Sequence, residues 1–276
     1  ATSWATVRAA FDAGMNLFDT AESYGIPNGL SEERLGDGLA GIRHQVYVVS
    51  KIGNWGKRTG QGVPKTTVDM IRLCCHASLG RLHTDWLDVV LCHEGNIADP
   101  SVYLEAFEVL KQRGRIRAYG ISTNDLEVLK RFNADGTCSV VEVNYSLLNR
   151  VPEDEFLPYC QKHGIAVLVR GPLRRGLLAG KYDADTVFSD AVRARFNAGE
   201  SGREGYLQDV AQVARLKAVL EPGTEMVTAA LRYVISHPTN AVAIPGCKSP
   251  AQAQMNAAAG ERSLSAAEIA QLRELL

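Results

Sequence analysis

Asp19, Tyr24, Lys51 and His93 bring together a carboxylate, a phenol, an ammonium and an imidazole, and three of them close or directly follow a short apolar run. The runs read MNLFD, VYVVSK and WLDVVLCH, with Tyr24 five residues after Asp19 on the connection that follows. A phenol with an ordinary pKa of about 10 is a weak acid at neutral pH, but an ammonium at hydrogen-bond distance stabilises the phenolate and pulls that value down. Lys51 would supply this field. Asp19 would keep the lysine charged in a partly dry pocket, and His93 would hold a substrate oxygen against the Tyr24 hydroxyl. A proton delivered to a carbonyl oxygen is useful only if a nucleophile reaches the carbon. No serine or cysteine here has the strand-turn-helix setting of a nucleophile elbow, which leaves hydride from a cofactor as the source.

Such groups meet if successive strands bring their C-terminal ends to one mouth. Short runs rich in Val, Ile and Leu alternate with longer stretches whose apolar residues lie three and four apart, the pattern of parallel strands joined by crossover helices. Strands are expected at 15–19, 46–51, 87–92, 116–122, 140–143, 165–169 and 241–244. Helices are expected at 7–13, 66–82, 102–113, 127–132, 153–163 and 229–236. Gly14, Gly114 and Gly164 follow last helical turns and precede strands, as αβ connections require. The fold class that results is α/β, a (β/α)8 TIM barrel forming one domain over residues 1–276. Seven strands are one short of closure and the sequence opens on a helix, so the first strand is expected ahead of Ala1. The glycine-rich basic stretch 53–65 and the polar stretch 181–205 would be loops at the mouth. Ser265 with Glu268, and Ser249, Pro250 with Gln252, read as helix starts.

Thirty basic against thirty-one acidic residues leave no global field for nucleic acid or an anionic membrane, so an anion must be held by local groups. No apolar run approaches the roughly 20 residues that span a bilayer, and the opening stretch has no secretory core. The six cysteines form neither a CxxC nor a paired spacing, which suits reduced, buried thiols in a cytoplasmic enzyme.

The stretches GMNLFDTAESYG and SEERLGDGL, the strand ending in SK at Lys51, the His93 strand, GRIRAYGISTND, EVNYSLLNR, GPLRRGLLAGKY and AIPGCKSPAQAQMNAAA resemble the aldo-keto reductases in order and spacing. That resemblance spans nearly the whole chain and implies NAD(P)H-linked reduction of a small carbonyl substrate, with Asp19, Tyr24, Lys51 and His93 as the catalytic tetrad. It also implies a carboxamide site at Ser122, at Thr123 or Asn124 where the family has asparagine, and at Glu142 where it has glutamine. A carboxylate there can still accept from the amide NH2. Arg170 takes the place of the aromatic residue that commonly stacks on the nicotinamide, and its charge would disfavour an oxidised ring or turn aside to an anion. For the phosphates, a barrel offers its last two loops and a helix N-terminus, here Gly171, Pro172, Leu173 and Gly176, then Gly246 to Gln252. Lys248 matches a 2′-phosphate contact, and Gln252 and Asn256 match an adenine-side pair, which favours NADPH/NADP over NADH/NAD.

Plainer readings stand beside these. Asp19 and Lys51 could be a buried ion pair, and His93 a satisfied core histidine. His93 beside Glu94 gives no metal site, because adjacent strand residues face opposite sides. Trp55 is expected to wall the substrate pocket, Trp86 to lie in the core, Tyr119 and Tyr145 to pack, and Lys57, Arg58 and Lys65 to form a basic patch. Other activities open to the same residues are an NAD(P)-dependent sugar 1-dehydrogenase and a low-turnover, cofactor-binding regulatory subunit.

Overall fold

The computed structural model describes residues 2–56, 60–190, 193–220 and 224–276. Seven strands, β1 (Leu17–Asp19), β2 (Tyr47–Ile52), β3 (Leu87–Cys92), β4 (Ile116–Ser122), β5 (Val140–Asn144), β6 (Ala166–Arg170) and β7 (Val242–Ala243), pair in parallel in sequence order. Helices α1 (Thr2–Asp12), α2 (Leu30–Leu39), α3 (Val68–Arg81), α4 (Ser101–Gln112), α5 (Leu126–Phe132) and α6 (Phe156–His163) precede β1 to β6 in turn. Two more, α7 (Arg203–Val219) and α8 (Met226–Ile235), lie between β6 and β7, and α9 (Pro250–Ala257) and α10 (Ala266–Glu274) follow. The architecture is that of an α/β barrel. Among the described residues no helix is long and apolar enough to cross a membrane.

Strand periodicity separates two apolar layers. One set of strand residues faces the helices and forms the main core, including Val48, Val90, Ile121, Val141, Val143, Val167 and Val169. The alternate set, Val49, Leu91, Val140 and Leu168 with Leu17, Val89 and Ile244 against them, forms a small separate plug inside the sheet's curve. Gly120 belongs to this inner face. A Cβ there would sit 1.6 Å from the Val140 carbonyl oxygen, so β4 and β5 can approach as they do because this residue has no side chain.

The structure departs from the sequence-based expectations in places with identifiable causes. Helices α2 and α7 fall outside the expected set. The first is interrupted by Gly36 and Gly38, whose positions leave room for the Leu82 backbone and Val7, and glycines depress helix propensity. Residues 181–205 do not simply line the mouth: Phe188 and Phe196 close a satellite cluster with Leu177 and Tyr206 of α7. The segment expected as one helix over 153–163 breaks, and Glu153 instead receives the Tyr145 and Tyr233 hydroxyls at 2.7 Å each and Arg273 at 2.6 Å. Trp86 is not a core residue. It ends the α3–β3 connection, half-buried between the guanidiniums of Arg43 and Arg117, 4.4 and 5.0 Å from its ring. Lys65 is buried against Glu22 at 3.4 Å, so it is no solvated patch, while Lys57 and Arg58 lie outside the described residues.

Candidate active site

Moving two residues toward the C-terminal end from each plug residue keeps a side chain on the inner face. Leu17 thus leads to Asp19, Val49 to Lys51, Leu91 to His93, Gly120 to Ser122, Val140 to Glu142 and Leu168 to Arg170. Six polar residues therefore share the layer directly above the plug.

Lys51 is at its centre and is fully buried. Its Nζ donates to both Asp19 oxygens, at 2.6 and 2.5 Å, and to the Thr20 carbonyl at 3.0 Å. Glu142 Oε2 is also 3.0 Å away. The Tyr24 ring lies 5.1 Å from the ammonium. His93 meets Tyr24 edge-on with ring centroids 5.6 Å apart, and the Ser23 hydroxyl is 3.4 Å from His93 Nδ1. All four residues singled out for chemistry are brought together.

Burial works against the Lys51 charge, yet Asp19, Glu142 and Tyr24 together hold its pKa above the ordinary lysine value. Asp19 is pushed up to about 7 by burial, with Lys51 opposing and Glu142 reinforcing the rise. The direction for Tyr24 reverses the sequence-based expectation. Burial raises the phenol above its ordinary value, Lys51 pulls it back, and Asp19 and Glu142 push it up again. Burial and the second carboxylate outweigh the ammonium, and neither is visible in a linear sequence.

Around this core, the residues expected to hold a nicotinamide divide. Ser122 donates to Glu142 Oε1 at 3.0 Å. Asn124 Oδ1 accepts from Arg170 Nη2 and from the Asn144 amide, both at 2.9 Å, which ties Arg170 to the mouth in place of an aromatic wall. Thr123 braces the backbone instead, donating to the Gly95 carbonyl at 2.6 Å and accepting from the Asp125 amide at 3.1 Å. Trp55 does not line the cavity that contains Asp19 and Tyr24; it is stacked with Lys65 and Arg81, each 5.7 Å from its ring.

That cavity, about 1230 Å³, runs from Asp19, Tyr24, Glu142 and Arg170 past Gly246 to Lys248 and Asn256. At its far end Ser249 caps α9, accepting from the Gln252 amide at 3.3 Å, while Gln252 Oε1 accepts from the Lys248 amide at 2.8 Å. Lys248 is exposed, and Asn256 is buried with its amide 3.1 Å from Cys247 Sγ. Beyond β6, Gly171 has φ 65°, and an added Cβ would meet Asn144 Oδ1 at 2.8 Å. Arg174 and Arg175 follow, both left-handed (φ 48° and 55°) although neither is glycine. Burial lowers the Arg175 pKa, helped by the charges of Arg195, Arg174 and Arg170 nearby. The glycines of this loop stand out in the sequence and these arginines do not; the one signal for them is the RR doublet itself.

Fold and site together define a barrel enzyme in which a buried lysine paired with two carboxylates faces a tyrosine beside a cavity of about 1230 Å³. The profile described as the Aldo/keto reductase family matches residues 1–276. An NADH-specific methylglyoxal reductase of Escherichia coli strain K12 is 30% identical over 287 residues, covering 98% of this chain and 86% of that protein. Aldo-keto reductase AKR11C1 from Bacillus halodurans in its holo form superposes with a TM-score of 0.82 at 30% identity, over 99% of this chain and 86% of that one. An aldo-keto reductase from Klebsiella pneumoniae in complex with NADPH gives 0.74 at 30% identity, over 99% and 84%. The chain belongs to the aldo/keto reductase family and is an NAD(P)H-dependent oxidoreductase.

Proposed function

We propose that the protein reduces a small aldehyde or ketone to its alcohol with NADPH. The observation that carries this reading is the Lys51 ammonium held by Asp19 against Tyr24, with His93 edge-on to the phenol. When bound, NADPH would supply hydride to the carbonyl carbon. Tyr24 gives its proton to the carbonyl oxygen, and Lys51 stabilises the phenolate left behind. His93 holds the substrate oxygen near the Tyr24 hydroxyl. Because burial raises the Tyr24 pKa, the phenol carries its proton at neutral pH, the state a donor needs.

The residues present suit the cofactor. Ser122, Asn124 and Glu142 would border the carboxamide, and a cavity of about 1230 Å³ leaves room for a dinucleotide. The α9 N-terminus and Lys248 would hold the adenosine phosphate, and Arg174 and Arg175 the diphosphate. Lys248 is a single point charge, so preference over NADH should be modest. Short dicarbonyls of the methylglyoxal type are the first substrates to try, given the relative that reduces one.

The test is NADPH oxidation with a panel of aldehydes and ketones, in native protein and in Tyr24→Phe. Loss of at least about 100-fold in kcat, with NADPH affinity kept within about twofold, is expected because the change deletes a proton and no phosphate contact. Undiminished turnover in Tyr24→Phe would refute the assignment.

A further inference from the structure

Glu142 is 1% exposed and stands one layer above the apolar plug. Its Oε1 accepts from Ser122, but Oε2, 3.0 Å from Lys51 Nζ, receives no hydrogen bond. The Lys51 ammonium donates to the two Asp19 oxygens and the Thr20 carbonyl. Glu142 thus feels the lysine charge without a donated proton. Both carboxyls converge on the Lys51 nitrogen, Asp19 at 2.5 Å and Glu142 at 3.0 Å. Two ionised carboxylates repel at such range, whereas one shared proton turns the contact into a bond.

With both carboxylates ionised, Asp19, Lys51 and Glu142 sum to −1 in a buried layer, an arrangement that favours taking up a proton. Burial and Glu142 already raise Asp19 against the pull of Lys51. Among the described residues the other groups facing the cluster are few. Tyr24, on the connection after β1, is kept protonated. His93, at the end of β3, lies beyond Tyr24. Ser122 on β4 is uncharged, and β7 contributes no ionisable side chain. Arg170 on β6 has Nε 3.6 Å from Glu142 Oε1, but its side chain is 38% exposed and its charge correspondingly screened.

We propose that Glu142 is a positioning residue that links the site's protonation to the redox form of the cofactor, an inference that rests on the function proposed above. Asp19 and Glu142 hold one proton between them when the neutral ring of a reduced nicotinamide lies over the layer, and release it to solvent when a cationic, oxidised ring takes its place. The O–H bond of the carboxyl pair breaks, the proton passes to water, and the remaining negative charge faces the ring.

The readout is binding. Dissociation constants of NADPH and NADP, measured by calorimetric titration across about pH 5 to 9, give a ratio from which phosphate ionisation and shared contacts cancel. In the native protein NADP should gain up to about tenfold on NADPH per pH unit over the range where the proton is lost, and the ratio should be flat in Glu142→Gln. A flat ratio in the native protein, or an unchanged slope in Glu142→Gln, overturns the proposal. Should Glu142→Gln fail to fold, infrared difference spectra of the native protein decide. The carbonyl band of a protonated carboxyl must be present with NADPH and diminish with NADP, and its absence from the NADPH complex overturns the proposal. Failure of both cofactor forms to bind sinks the proposed function as well, whereas binding with a flat ratio sinks only the proton link.

Discussion

Lys51 is the residue on which the site's electrostatics turn. It is fully buried with two carboxylates against it, so removing it leaves those carboxyls facing one another above an apolar layer. Lys51→Met should lower stability by roughly 3–5 kcal/mol, the range for breaking a buried ion pair from one side. The pH dependence has a definite sign. Asp19 is already raised from 3.8 to about 7. A carboxyl whose folded value lies above its unfolded one contributes stability that is complete below the unfolded value and is lost as pH rises through the folded one. Without the lysine's pull that loss deepens, so chemical denaturation should find Lys51→Met least damaging near pH 4 and worst above pH 7. A penalty independent of pH would mean the two carboxyls are not coupled through the ammonium. The residue types were legible in sequence, but the sign of the Tyr24 shift was not. It depends on burial and on Glu142, 118 positions away, and both are products of folding.

At the level of elements, strands read cleanly where apolar runs were bounded by turn residues. β3 and β4 fall where the periodicity placed them, and β3, buried on both faces over most of its length, is a nearly continuous apolar run. β7 shrinks to two residues because it pairs with β6 alone over Leu168 and Val169. α7 is hard to read because its sequence is polar and has little amphipathic contrast, and its partners Phe188 and Phe196 come from a loop. The loop after β6 is where element and site meet. Arg174 and Arg175 hold backbone conformations costing about 1–2 kcal/mol per L residue, and they add like charges beside Arg170 and Arg195. Glycine removes that strain but loosens the unfolded chain by roughly 0.4–1 kcal/mol. For Arg175→Gly the net expectation is a gain of about 0.5–1 kcal/mol in thermal unfolding, together with weaker and less salt-sensitive NADPH binding. Unchanged affinity would remove Arg175 from the diphosphate site.

For the whole molecule, a balanced net charge conceals strong local division. Acidic Asp19 and Glu142 surround one lysine at one end of the cavity, while Lys248 lines its other end and Arg174 and Arg175, the groups proposed for the diphosphate, follow β6 beside Arg170 and Arg195. The barrel keeps these zones apart by alternation: one face of each strand meets helices, and the other supplies first the plug and then the polar layer. The plug has a kinetic corollary. Leu17, Val49, Leu91, Val140 and Leu168 offer no polar side chain to a file of water molecules beneath Lys51, so hydrons on its ammonium should trade with bulk solvent through the cavity that Asp19 and Tyr24 line. Whatever seats itself there acts as a stopper. Lysine nitrogen resonances followed after transfer into heavy water should show deuterium entering Lys51 at least about tenfold more slowly with NADPH bound than without, and equal rates would reveal a leak through the floor.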